Sequence, residues 1–155
     1  MNYMQKAENR QPGTVLIADD ELDDLRFTQR VVATVCPELC VRSVMSGEDL
    51  IGYLEEKKRF SNRSDFPYPT FVLLDLRMPG MRGFDVLRWL RDHPPHNVLP
   101  VVVLTVSGES VVVNRAYELG ARSFLTKPIR PDDLKEIMAR LPEWLEQAPA
   151  PANRG

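Results

Sequence analysis

Short apolar runs alternate with longer amphipathic stretches along this chain, and that alternation constrains the fold more than any other feature. Strand-like runs lie near 14–19, 39–44, 70–75, 99–105 and 122–126, and helix-like stretches lie near 22–35, 46–58, 83–92, 108–119 and 131–147. Five strands alternating with five helices predict one parallel sheet with helices on both faces. The second run is expected to be an edge strand because it carries Arg42 and Ser43, whereas the first, third and fourth are apolar throughout.

Length and composition are typical of one domain without a membrane span. A chain of 155 residues with 43% hydrophobic content can form a single core, and no apolar stretch approaches the roughly 20 residues that a spanning helix needs. We expect a domain over 13–147 with flexible tails at 1–12 and 148–155. The first tail lacks the apolar segment of a secretory signal, so a cytoplasmic protein is predicted. The net charge of −2 gives no general reason to bind nucleic acid.

Polar side chains stand at the ends of the strand-like runs. Apolar runs end at Asp75, at Asp19 and Asp20, and at Thr105, and the last run is followed by Lys127. Because the carboxyl ends of parallel strands share one edge of a sheet, these side chains are expected to converge in one cleft. Crowded carboxylates repel one another unless a cation is bound. Oxygen ligands without histidine or cysteine favour Mg²⁺, or Mn²⁺, over zinc.

This constellation predicts that Asp75 holds a phosphoryl group. A carboxylate can attack an activated phosphorus and keep the phosphoryl group as an acyl phosphate. The metal ion, the ammonium of Lys127 and the hydroxyl of Thr105 would cancel the charge on the phosphoryl oxygens. Each residue alone has an ordinary explanation, such as a helix cap or a turn, but their joint occurrence at four strand ends favours a common site. A nucleotide site is disfavoured because the turn after the first strand is acidic and lacks glycine.

Four segments resemble the receiver domain of two-component response regulators. They are residues 16–21, 73–83, 103–105 and 124–128, and the resemblance extends over about residues 13–145. It implies a flavodoxin-like, doubly wound (βα)5 fold with a five-stranded parallel sheet in the order 2-1-3-4-5. It also implies a sensor histidine kinase as the phosphodonor. The protein would not be an enzyme, apart from assisting its own phosphotransfer and a slow autodephosphorylation.

The resemblance implies a division of labour among the acidic residues. Asp75 would be the phosphoacceptor. Asp20 and Asp75 would ligate Mg²⁺ directly, together with the backbone carbonyl of Arg77. Asp19 would act on the metal mainly through water.

The resemblance also assigns the residues that respond to phosphorylation. Lys127 would pair with the phosphoryl oxygens, and its peptide bond to Pro128 would be cis, which orients the lysine. Thr105 and Phe124 would form a coupled switch pair. The threonine would move toward the phosphoryl group, and the aromatic ring would turn into the space it leaves.

Two positions depart from the pattern of the family. Val106 stands directly after Thr105, where a smaller residue is usual, and Arg77 places a long cation two residues after Asp75. The branched side chain should narrow access to the carboxylate, and the guanidinium should overhang the phosphoryl group. We therefore expect both residues to modulate access and to alter the lifetime of the phosphoryl group.

A long segment and the last helix suggest a narrower relationship. The segment 57–69 is unusually long for a loop, and residues 66–69 within it either pack on the sheet edge or bind a partner. Together with the helix that contains Trp144, this segment resembles the stand-alone receivers that partner bacterial phytochromes. That resemblance implies a bacteriophytochrome as the cognate kinase.

The output is expected to pass through protein contacts because no DNA-binding element follows the receiver. In the fourth helix, Val112, Ala116 and Leu119 are expected to face the core and to leave Val113 and Tyr117 on another face. Surplus apolar surface often marks an interaction site. The hypothesis is a homodimer formed through the fourth helix, the fifth strand and the fifth helix, besides contact with a downstream protein target.

Other functions fit parts of the same pattern. A phosphatase of the haloacid-dehalogenase type also uses a strand-end aspartate, but it needs an acid two residues later, where this chain has Arg77. A degenerate receiver that signals without phosphate is disfavoured by the intact set of acids, threonine and lysine. The sequence leaves open whether the protein is an effector or a phosphate relay or sink.

Overall fold

The computed structural model describes residues 13–147 and contains the predicted alternation of strands and helices. The strands are β1 (Thr14–Ala18), β2 (Cys40–Val44), β3 (Phe71–Asp75), β4 (Val101–Thr105) and β5 (Ser123–Thr126). The helices are α1 (Leu22–Val35), α2 (Gly47–Leu54), α3 (Gly83–Asp92), α4 (Ser110–Glu118) and α5 (Pro131–Gln147), with short 3-10 turns at Lys58–Phe60 and His96–Val98. The predicted tails at 1–12 and 148–155 lie outside the described residues. Between 13 and 147, no helix is long and apolar enough to cross a bilayer.

All strand pairs are parallel, and the sheet has the order β2-β1-β3-β4-β5. The predicted fold class and strand order are therefore confirmed, and β2 is an edge strand as expected. Alternate strand residues point to opposite faces. Leu16 and Leu74 pack with α2, α3 and α4 on one face, and Val15 and Leu73 pack with α1 and α5 on the other. The inner strands are buried on both faces, so their polar chemistry is confined to the ends.

The long loop packs against α2 and the edge of the sheet. Arg63 donates to three backbone carbonyls at 2.7–3.0 Å, two in the last turn of α2 and one in the loop. The rings of Tyr53, Phe60 and Phe66 contact one another with centroids 5.3–5.8 Å apart. Arg42 of β2 donates to a loop carbonyl at 2.9 Å. Of the two roles considered for residues 66–69, the structure therefore provides packing near the sheet edge.

One residue of the predicted faces of α4 is wrong, whereas Val112, Ala116 and Leu119 pack against the core as expected. Val113 is buried, with 9% of its surface exposed, and is not on an outer face. Tyr117 is 43% exposed, as expected, and Val111 is also exposed, at 77%. Three consecutive valines do not determine how a helix is rotated about its axis, because two different faces are similarly apolar. Packing against the sheet decides the rotation, and it buries Val113 and Ala116, three residues apart.

Candidate functional site

The carboxyl ends of four strands form the edge that the sequence predicts. In the register of the sheet, Asp75 at the end of β3 lies opposite Leu104, the residue before Thr105 at the end of β4. Asp19 follows the end of β1, and Lys127 follows the end of β5. Because neighbouring parallel strands end nearly level, the register brings these side chains to one place.

Lys127 is at the centre of the site. Its ammonium nitrogen lies 2.7 Å from Asp19 Oδ2, 3.3 Å from Asp75 Oδ2 and 3.3 Å from Asp24 Oδ2. The lysine side chain is only 9% exposed. The backbone N–H of Lys127 donates to the carbonyl of Thr105 at 2.8 Å, and the peptide bond between Lys127 and Pro128 is cis. The ammonium is therefore held between carboxylates from β1, β3 and α1.

Sequence reasoning missed Asp24. This residue lies in the first turn of α1, and its side chain is half exposed. Local spacing does not signal it, because Asp20 precedes the first residue of α1 and the two acids do not share a helix face. The contact of Asp24 with Lys127 spans 103 positions of the chain and depends on how α1 sits against β5.

Three carboxylates form a cluster suited to a divalent cation. One oxygen from each of Asp19, Asp20 and Asp75 lies within 4.8 Å of the others. Asp19 is fully buried and Asp75 is 4% exposed, whereas Asp20 is half buried. Backbone amides hold the buried pair, since Asp19 Oδ1 accepts from Glu21 N and Asp75 Oδ1 accepts from Arg77 N, each at 3.0 Å. Three hard oxygen donors beside a single ammonium fit Mg²⁺ or Mn²⁺.

The surroundings of Asp75 change its affinity for protons. Burial raises the pKa of its carboxyl from 3.8 to about 6, and the Arg77 amide and the Lys127 ammonium oppose that rise. Burial of Lys127 favours its neutral form, but the contacts with Asp19 and Asp75 outweigh this effect, so the pKa of the ammonium is raised. Lys127 therefore stays charged at neutral pH, while Asp75 is protonated far more easily than an ordinary aspartate.

Thr105 and Phe124 lie on adjacent strands near this edge. The Thr105 hydroxyl donates to the carbonyl of Ser107 at 2.9 Å and accepts from the N–H of Ser107 at 3.1 Å. Thr105 is buried, and the half-buried ring of Phe124 packs against the core on the α2, α3 and α4 face. The turn after β4 therefore engages the hydroxyl of Thr105.

The two departures from the family pattern lie just after the ends of β3 and β4. Val106 is 55% exposed directly after β4, and Arg77 is exposed two residues after the end of β3. Arg77, Thr105 and Ser107 line the same cavity of about 550 Å³. Their effect on access to Asp75 stays a prediction.

The loop after β3 is fixed at both ends. A side chain at Gly83 would place its Cβ 2.6 Å from Leu76 Cα and 2.8 Å from the carbonyl oxygen of Asp75, so α3 can begin against β3 only with glycine there. Glu48 of α2 accepts from Met81 N at 2.8 Å. These contacts hold the segment that carries Arg77.

The decisive comparison is with a family model. The model of the response regulator receiver domain matches residues 15–139. The chain belongs to the response regulator receiver domain family. The resemblance identified from the motifs is thereby confirmed.

Known relatives of the receiver family differ in how much of their length this chain spans. It is 31% identical to the response regulator Rcp1 of Synechocystis over 148 residues, which are 94% of this chain and 97% of Rcp1. It is also 31% identical to the cyclic di-GMP phosphodiesterase response regulator RpfG of Xanthomonas campestris over 134 residues, covering 86% of this chain but 33% of RpfG. Similarity to RpfG is therefore limited to one part of that protein.

Solved structures of receivers resemble this one over most of its length. Response regulator RPA3017, from red light signalling of R. palustris, is 33% identical with a TM-score of 0.73 and covers 89% of this chain and 96% of its own. The Mn²⁺-bound form of Rcp1 is 30% identical with a TM-score of 0.69 and covers 90% of this chain and all of its own. Both comparisons support the assignment of the fold.

Proposed function

We propose that this receiver accepts a phosphoryl group on Asp75 from a sensor histidine kinase and thereby switches a protein-binding surface. The single observation that carries the proposal is the position of the Lys127 ammonium. It lies 2.7 Å from Asp19 and 3.3 Å from Asp75, beside a cluster of three carboxylates. That arrangement supplies a nucleophile, a fixed cation and oxygen ligands for a metal within one buried edge.

Phosphotransfer would begin at the carboxylate of Asp75. One of its oxygens attacks the phosphorus of a phosphohistidine, a P–O bond forms, the P–N bond breaks and the imidazole leaves with the electron pair. Bound Mg²⁺ would supply positive charge to the phosphoryl oxygens. Asp20, Asp75 and the carbonyl of Arg77 would hold that ion. Asp19 would act through water, which is consistent with the engagement of its Oδ2 by Lys127 at 2.7 Å.

The switch would exchange one set of hydrogen bonds for another. Thr105 makes two hydrogen bonds with the backbone of Ser107, and each contributes about 0.5–1.5 kcal/mol. A hydrogen bond to a charged phosphoryl oxygen contributes about 1.5–3 kcal/mol. Because these amounts are similar, phosphorylation can shift the population without locking either state. Phe124 would turn inward as the threonine moves.

The relatives suggest the class of kinase. RPA3017 is described in red light signalling and shares 33% of its residues with this chain. We therefore propose a bacteriophytochrome as the cognate kinase. The proposed site of action is the cytoplasm. Transfer from a purified bacteriophytochrome kinase to wild type, but not to Asp75→Asn, would support this pairing. Transfer only from other classes of histidine kinase would contradict it.

A homodimer through α4, β5 and α5 is proposed with a corrected apolar face. Val113 is buried, so the exposed Val111 and Tyr117 would provide the contact. Light scattering with and without phosphorylation tests the dimer, with Val111→Asp as the variant expected to weaken it. A monomer at high concentration in both states would reject it.

The central experiment measures phosphoryl incorporation by intact mass. With Mg²⁺ and a small phosphodonor, wild type should gain one phosphoryl group, whereas Asp75→Asn should gain none. Glu38→Gln, which removes an exposed carboxylate in the turn after α1, should behave like wild type. Equal labelling of wild type and Asp75→Asn would overturn the assignment, and labelling that persists in EDTA would exclude the role of the metal. The phosphatase alternative is disfavoured because an arginine cannot act as a general acid at neutral pH.

A further inference from the structure

Lys127 has a partner that neither the strand ends nor the metal cluster includes. An ammonium has three N–H donors, and three carboxylates lie within 3.3 Å of Lys127 Nζ. Two of them, Asp19 and Asp75, belong to the buried edge. The third is Asp24, whose side chain is 48% exposed on the first turn of α1.

We propose that Asp24 is a positioning residue that draws the Lys127 ammonium toward α1. It thereby weakens the binding of a phosphoryl group at Asp75 and strengthens the binding of the divalent cation. This inference rests on the proposed role of Asp75 as phosphoacceptor. Asp24 thus has opposite effects on the affinity of the site for the phosphoryl group and on its affinity for the divalent cation, although the site binds both at once.

The effect on the phosphoryl group follows from competition and repulsion. A phosphoryl group on Asp75 needs an N–H donor of Lys127, and Asp24 occupies the ammonium from the solvent side at 3.3 Å. The Asp24 carboxylate also repels the charged phosphoryl oxygens. Both effects weaken the phosphorylated state, so removing the charge of Asp24 should strengthen it.

The effect on the cation has the opposite sign. A nearby carboxylate attracts a divalent ion even when it is not a ligand. Asp24 also attracts the ammonium toward α1, which reduces the repulsion between Lys127 and an ion held by Asp19, Asp20 and Asp75. Removing the charge of Asp24 should therefore weaken the binding of Mg²⁺.

The neighbouring residue offers a matched control. Asp23 is also in the first turn of α1, is exposed and carries the same charge. Asp23→Asn and Asp24→Asn remove equal charge from the same end of the helix, so they lose a similar interaction with the helix dipole. Of the two acidic side chains in this helix turn, which lies within the described residues 13–147, only that of Asp24 is within salt-bridge distance of Lys127.

The experiment measures two dissociation constants for wild type, Asp24→Asn and Asp23→Asn. Calorimetric titration gives the dissociation constant of Mg²⁺. A ¹⁹F NMR titration at saturating Mg²⁺ gives the dissociation constant of fluoroberyllate, an analogue of the phosphoryl group. For Asp24→Asn we expect Mg²⁺ to bind about two- to fivefold more weakly and fluoroberyllate about two- to fivefold more tightly, as for a half-exposed ion pair. Asp23→Asn should change each constant by less than about twofold.

Each other outcome contradicts the inference. A purely structural role would weaken both affinities together, and unchanged affinities would show that the contact with Lys127 has no effect. Equal shifts in both variants would assign the effect to the general charge of the helix end. If wild type bound no fluoroberyllate, the proposed phosphoacceptor would itself be wrong, and this inference would fall with it. Binding to wild type with no difference in Asp24→Asn would reject the inference alone.

Discussion

Replacing Asp75 with asparagine should stabilise the metal-free protein at neutral pH, although it removes the phosphoacceptor. Burial raises the pKa of this carboxyl from 3.8 to about 6. The folded protein therefore holds the proton more strongly than the unfolded chain does. As a result, the contribution of Asp75 to stability falls as the pH rises from about 3.8 to about 6 and is lowest above that range. Asparagine resembles the neutral carboxyl and avoids this loss.

The size of the effect follows from the shift in pKa. Each unit corresponds to about 1.36 kcal/mol, so the rise at Asp75 costs about 3 kcal/mol at pH 7.5. At pH 4 the same relation leaves less than about 1 kcal/mol. Lys127 keeps the carboxylates of Asp19 and Asp24 after the substitution, so its charge stays paired. We expect Asp75→Asn to gain about 1–3 kcal/mol at pH 7.5 and much less at pH 4.

Urea unfolding in EDTA measures this difference directly. Wild type, Asp75→Asn and the surface control Glu38→Gln are compared at pH 7.5 and at pH 4. At each pH the free energy of unfolding of wild type is subtracted from that of the variant, so the titration of groups common to both proteins cancels. Glu38→Gln should stay within about 0.5 kcal/mol of wild type at both values. Adding Mg²⁺ should stabilise wild type more than Asp75→Asn, because only wild type keeps all three carboxylates. A wild type as stable as Asp75→Asn in EDTA at pH 7.5, or a gap that does not shrink at pH 4, would refute the reasoning.

Three further predictions concern the loops of the domain. Gly83→Ala should lower the free energy of unfolding in urea by about 1–3 kcal/mol, because the added Cβ would lie 2.6 Å from a backbone atom. Gly108→Ala is the control and should be nearly neutral, because its Cβ would meet nothing within 4 Å. Val106→Ala should accelerate dephosphorylation several-fold by admitting water, and Arg77→Ala should also alter the rate of dephosphorylation. Equal rates for wild type and both variants in a phosphate-release assay would contradict both predictions. Arg63→Ala should lower the thermal midpoint of unfolding, since it leaves three buried or half-buried carbonyls without their guanidinium donor, and an unchanged midpoint would show that the loop is held by its aromatic contacts alone.

Features with a local cause were predictable. The apolar runs give strands buried on both faces, and the polar residue that ends each run is necessarily at the carboxyl edge of a parallel sheet. Asp75, Thr105 and Lys127 were found for that reason. The cap of α2 is also local, since the hydroxyl of Ser46 accepts from Asp49 N at 3.0 Å. Such a cap depends only on residues a few positions apart.

Features that depend on rotation or on distant partners were not predictable. Val113 was assigned to the wrong face of α4, because three consecutive valines are compatible with more than one rotation of the helix and only contact with the sheet selects burial of Val113. Arg63 was not singled out, because its carbonyl partners at the end of α2 lie nine and ten residues earlier and meet it only in the folded loop.

The sequence by itself determined the fold and the residues at the edge of the sheet, because the apolar runs and the polar residues that end them are local features of the chain. The tertiary structure alone decided which charges face Lys127. Asp24 and Lys127 are 103 positions apart, and they meet because α1 packs on the face of the sheet to which Leu125 of β5 contributes. A contact of that kind depends on the relative placement of two elements, which no local pattern specifies.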